Sequence, residues 1–142
     1  ASKLVRSCHN AAALDAVSGM TGARLSILPE VVQHAHDARM RDALLRGGTL
    51  GFLRRWLQVG AQQQHAATSA DELRLQQAVV GVCVTLAPRL ALQPAYLQAS
   101  RGLGKLLLLL AHSPSSDPTV RDGAREFCAR LRRGGASDVK RT

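Results

Sequence analysis

Residues 79–86, Val-Val-Gly-Val-Cys-Val-Thr-Leu, decide the fold class. β-branched side chains this dense suit a buried strand by propensity alone. A strand must hydrogen-bond to another strand, however, and no second run of this kind stands elsewhere in the sequence. Alone it would leave its backbone N–H and C=O groups unpaired. The residues before it point the other way. Ser69 followed three positions later by Glu72 has the spacing of a capping box, and 73–78 continues in helical fashion. The run is therefore expected to be a helix that is apolar nearly all round, hence central, and closed by Pro88.

Helical spacing recurs on both sides of it. Within 3–17, Leu4, Cys8, Ala11 and Ala12 share one face, which ends before Ser18-Gly19. Leu25, Leu28, Val32 and Ala35 form a second stripe, with Pro29 expected in the tolerant first turn. Met40 and Leu44 precede the stop signal Gly47-Gly48, and Thr49 is placed to cap a helix carrying Leu50, Leu53, Trp56 and Leu57. Residues 59–69 have no apolar face and read as a loop. Pro94 opens a short helix through Tyr96, Leu97 and Ala99. Gly102-Leu103-Gly104-Lys105 then turns into five leucines, 106–110, expected to form a buried helix. Asp117-Pro118 is an N-cap with proline at the first helical position, and Val120, Ala124, Phe127, Cys128 and Leu131 make the stripe of the last helix. Its other face offers Asp122–Arg125 and Glu126–Arg130 pairs. Gly134 is expected to end it, leaving 135–142 as a disordered tail. The expectation is one all-α domain, 1–134, a compact bundle of about seven to eight helices.

A chain of 142 residues can bury one core without disulfide or metal staples, and 46% hydrophobic against 20% charged residues excludes a disordered chain. The apolar stretches 79–87 and 106–111 fall short of the roughly 20 residues that cross a bilayer. No apolar segment follows Lys3 and Arg6 as a signal peptide would require. A soluble monomer in the nucleus or cytosol, with no membrane contact, is the expectation. Beginning at Ala1 without methionine, the chain reads as a domain excised from something longer.

Sites of chemistry are sparse. Cys8, Cys83 and Cys128 form no Cys-x-x-Cys pair and read as reduced, mostly buried thiols. Cys8-His9 are helix neighbours, about 100° apart, and cannot face each other as nucleophile and base. His34 and His36 are two apart, the wrong spacing to chelate from one helical face. Gly102-Leu103-Gly104-Lys105 lacks the spacer of a phosphate loop. No enzyme, metal or cofactor is expected. Net charge is +9, and of the 19 basic residues only Lys3, Lys105 and Lys140 are lysines. That charge suits an acidic protein partner or a nucleic-acid backbone. Aromatics at 3% leave little for bases to stack on, which disfavours single-strand binding but leaves weak contact to a duplex open.

Several segments come in a telling order: RLSILPEVV at 24–32, LLRGGTL at 44–50, LRRWL at 53–57, LQASRGLGK at 97–105, then His112-Ser113-Pro114. They look like the segments KLxLLPxVV, F(I/L)DxGV(L/M), IKEWL, LKxSGIGK/R and the His-x-Pro turn of the Iws/Spn transcription elongation factors. Across nearly its full length the chain resembles that family's conserved core, which contains the LW domain shared with the N-terminal domain of TFIIS. It departs in lacking the proline-bearing loop after the tryptophan motif, and in ending its last helix at Leu131-Arg132-Arg133 instead of a tryptophan. The resemblance implies a right-handed bundle of HEAT-like helix pairs in the nucleus. It also implies a non-enzymatic role, docking disordered segments of other elongation factors, principally the histone chaperone Spt-six, within the RNA polymerase II elongation complex. A groove between helices would take apolar anchors, while cations on its rim attract acidic flanks. By position Arg54 and Lys105 match the basic residues of two motifs and are the rim candidates, with Arg74 and Arg101 beside them. Trp56 is included as a contact candidate but reads rather as core, where its indole N–H would need a partner.

Overall fold

The run at 79–86 is helical. A computed structural model, which describes residues 2–18, 22–62, 70–99, 102–113 and 117–141, shows eight helices and no strand among those residues. They are α1 (Ser2–Ser18), α2 (Gly22–His36), α3 (Ala38–Arg46), α4 (Thr49–Gln62), α5 (Ala70–Leu92), α6 (Pro94–Ala99), α7 (Leu103–His112) and α8 (Pro118–Arg141). They pack as an all-α bundle around α5, whose Leu75, Val79, Val80, Val82, Cys83, Leu86, Ala87 and Leu90 are buried. α8 covers its longest stretch, and α2, α4 and α6 also lie against it. By length and composition α5 could cross a membrane. Here it is the central helix of the bundle, and Glu72 and Gln76 are buried on it as well.

Two prolines depart from the sequence reading. Pro29 lies inside α2, not in its first turn, and Pro88 lies inside α5 instead of ending it. An internal proline costs about 3 kcal/mol through its missing N–H and its ring. In both helices the turn beyond the proline carries core residues: Val31 and Ala35 on α2, Leu90 on α5. Burying one large aliphatic side chain contributes about 1.5–3 kcal/mol, so the packing offsets the break. On α5, Arg89 Nε–H also donates to Asp42 Oδ1 of α3 at 3.0 Å.

The helix ends hold further corrections. Thr49 is the first residue of α4, and its hydroxyl donates to the Leu44 carbonyl at the end of α3 instead of accepting as an N-cap. Gly48 has φ +93°, which glycine adopts without penalty, and it makes the turn between the two helices. The expected loop at 59–69 is helical through Gln62, and 63–69 lie outside the described residues. Asp117 caps α8 as expected: its Oδ2 accepts from the N–H groups of Thr119 and Val120 at 3.0 and 3.2 Å. Arg125 does not meet Asp122. Its Nε–H donates to the Ala111 carbonyl at 3.0 Å, satisfying the end of α7, while Arg130 pairs with Glu126 at 2.8 Å as the spacing predicts. Gly134 does not stop α8, which continues to Arg141.

α1, α2, α4 and α5 are joined by a buried charged group that the sequence reading did not find. Arg24 is fully buried. Its Nε–H donates to Asp15 Oδ2 at 2.7 Å, and Nη2 and Nη1 donate to the two carboxylate oxygens of Glu72 at 2.7 and 3.1 Å. Nη1 also reaches the Trp56 carbonyl at 3.1 Å. Two carboxylates face one guanidinium, and the excess negative charge has two further supports. Asp15 accepts from the N–H groups of Ala23 and Arg24 at 3.1 and 3.0 Å, so a residue of α1 caps α2. Glu72 stands in the first turn of α5, where the helix dipole favours an anion. Glu72, expected as the acid of a capping box, pairs here with Arg24, and its capping partner Ser69 lies outside the described residues.

Candidate functional site

α7 has two faces. Leu103, Leu107 and Ala111 are buried, and Leu106 and Leu110 are half-buried against the core. Leu108 and Leu109 are 48% and 62% exposed. The five leucines are therefore not a fully buried helix as expected, since a ten-residue helix on the side of a bundle keeps one face in water. Lys105 and His112 are exposed too. At 100° per residue, 105, 108, 109 and 112 fall within an arc of about 100°, so all four line one outward stripe. Two leucines are thus flanked by a cation at one end and an imidazole at the other. No carboxylate pairs with Lys105 among the described residues.

α7 is preceded by Gly102, its N-cap, whose φ of +118° favours glycine. Gly104 sits under Leu97 of α6, with room for a Cβ at ordinary contact distance, 3.6 Å. The Gly-x-Gly is thus a turn into the helix with one conformationally favoured glycine. On the inner side Arg125 ties the last turn of α7 to α8.

The other rim candidates are placed differently. Arg54 is half-buried on α4, which packs against both α6 and α7, so it and Lys105 stand on touching helices. Arg74 is exposed near the start of α5, whose main neighbours are α8, α2 and α4. Arg101 lies outside the described residues. Trp56 is 1% exposed, and its indole Nε1–H donates to the Cys8 carbonyl at 2.8 Å. It offers no surface to a partner and has the hydrogen bond that a core tryptophan requires. What sequence reasoning missed is the exposed pair Leu108 and Leu109. Their spacing from Lys105 was visible, but an unbroken leucine run does not show which side faces water.

The remaining reactive groups have structural environments. Burial, with the Glu30 carboxylate adding to it, pushes the Cys8 thiol up to about 12. Burial also raises Cys83 to about 12. Thiols held protonated in this way are poor nucleophiles. His9 lies edge-on to Phe52, ring centroids 6.2 Å apart, and its pKa is lowered by burial and then by Arg55. An open cleft of about 270 Å³ between α1 and α2 is lined by Lys3, Leu4, Ser7, Glu30 and His34. There His34 Nδ1–H donates to the Glu30 carbonyl at 2.8 Å. No cluster of three or more metal-ligating side chains occurs among the described residues. In the middle of α8, Arg130 and Arg133 both pair with Glu126, at 2.8 and 3.0 Å, so that basic cluster is partly neutralised from within.

No family model, curated protein or solved structure matches this chain.

Proposed function

We propose that this chain is a non-enzymatic protein-interaction domain that docks disordered acidic segments bearing apolar or aromatic anchors. The observation that carries the reading is the exposed stripe of α7, where Leu108 and Leu109 stand between Lys105 and His112. Apolar groups left in water beside a cation complement a segment that supplies an apolar anchor with an acidic neighbour. Support for a nuclear setting in RNA polymerase II elongation, with a Spt-six-like histone chaperone as partner, comes from the order of the motif-like segments in the sequence. A nucleic-acid backbone complements the stripe less well, because phosphates would leave both leucines without a partner.

The test is isothermal titration with an acidic, aromatic-bearing peptide from the N-terminal region of the Spt-six of the same organism, alongside duplex DNA at matched physiological salt. Saturable peptide binding, weakened at least tenfold by Lys105→Glu with an unchanged melting temperature, is the expected result. Lys105 is exposed, so its charge reversal leaves the core intact. Binding of DNA without the peptide would overturn the proposal.

A further inference from the structure

The stripe on α7 also constrains the shape of what covers it. We infer that the docked segment is itself helical and carries the pattern acid-x-x-apolar-apolar-x-x-acid, in register with Lys105-x-x-Leu108-Leu109-x-x-His112, one acid facing the ammonium group and the other accepting from the imidazole N–H. This rests on the docking role proposed above and adds the conformation and register of the partner.

Geometry favours a helix. Residues 105 to 112 span seven steps, about 10.5 Å along the axis at 1.5 Å each. An extended segment covers that length in about three residues and turns every second side chain away, so it cannot meet two leucines and both polar ends. A helix alongside α7 repeats with the same period and brings four groups to one face. Charge then selects among the helices available. A second copy supplies no counter-charge: parallel stripes would set Lys105 against Lys105, and antiparallel ones would set it against an imidazole, so neither brings a carboxylate to the lysine. An acid at each end of the pattern meets both groups in either direction. The footprint is small and belongs with transient contacts, below about 1,200 Å² in total.

Two synthetic peptides of equal composition test this, each about 16 residues long and alanine-rich so that it is helical. One carries Glu-x-x-Leu-Leu-x-x-Glu on a single face; in the other the same residues are reordered so that acids and leucines lie on opposite faces. Each is titrated at physiological salt into the full chain and into its Leu108→Ser, Leu109→Ser double variant, whose folding is checked by circular dichroism. The patterned peptide should bind at least tenfold tighter than its isomer, and the double variant should lose that preference. If the isomer binds equally well, or the double variant keeps the preference, the helical register is wrong while acidic docking stands. If neither peptide binds, the inference falls. The natural acidic peptide of the preceding section then decides whether the docking role falls with it.

Discussion

The two halves of this bundle are held by different physics. Where α1, α2, α4 and α5 meet, Arg24 is clasped by Asp15, Glu72 and the Trp56 carbonyl, and the contact is directional. Where α5 meets α8, the contact is one of shape. A Cβ built on Gly123 would lie 2.5 Å from Val80 Cγ1, so the helices approach as closely as a missing side chain permits. The charged junction tolerates loss of a partner poorly, because a buried charge left alone cannot be solvated. The apolar crossing tolerates loss of volume better than gain of it.

The sharpest way to break this contrast is Arg24→Met. It strands two carboxylates inside the protein and should cost about 3–5 kcal/mol, read from urea denaturation. Adding Glu72→Met should recover part of that loss, because the second change removes a stranded charge. Strict additivity of the two would mean that the group does not act as a unit.

At the crossing, Gly123→Ala should destabilise by about 1–3 kcal/mol through overpacking, despite the better helix propensity of alanine. Combining it with Val80→Ala makes room for the new methyl, so the double variant should be more stable than the two single effects predict. A Gly123→Ala protein as stable as wild type would show that α5 and α8 slide apart without penalty.

The smallest effect belongs to His9, on the α1 side. Its pKa in the folded protein is lowered by burial and by Arg55. Between that value and its ordinary 6.5 the unfolded chain binds more protons, so stability present above pH 6.5 is lost as pH falls. His9→Gln should flatten this part of the stability profile between pH 7 and 5. An unchanged slope would assign the acid sensitivity to other groups.

The same contrast explains what could be read in the sequence. Apolar periodicity and capping signals locate helices because both are local: the first placed α1 and α4, and the Asp117-Pro118 pair placed the cap of α8. It also made a helix of the β-branched run, since the want of a partner strand is visible in sequence. The ion group was not legible. Asp15 and Glu72 lie 9 and 48 residues from Arg24, and each looks like an ordinary polar residue until the helices are folded together. Nor could sequence show that packing carries α2 and α5 past their prolines, because that outcome depends on burial in the following turn. On the candidate surface, Lys105 was identified from its motif and lies exposed. The two leucines beside it were hidden in a run that hydropathy reads as uniformly internal.

Trp56 is the only tryptophan in the chain, and it sits at the junction of α1 and α4 with its indole N–H bonded to the Cys8 carbonyl. Its fluorescence is therefore a built-in gauge of that junction. Emission should be blue-shifted while Arg24 is clasped, and should move to the red when the four helices part. The outer face of α7 holds no indole, so a ligand without tryptophan that docks there should leave the emission wavelength unchanged. One optical signal can thus follow unfolding while a label on the peptide follows docking, with neither reading contaminating the other.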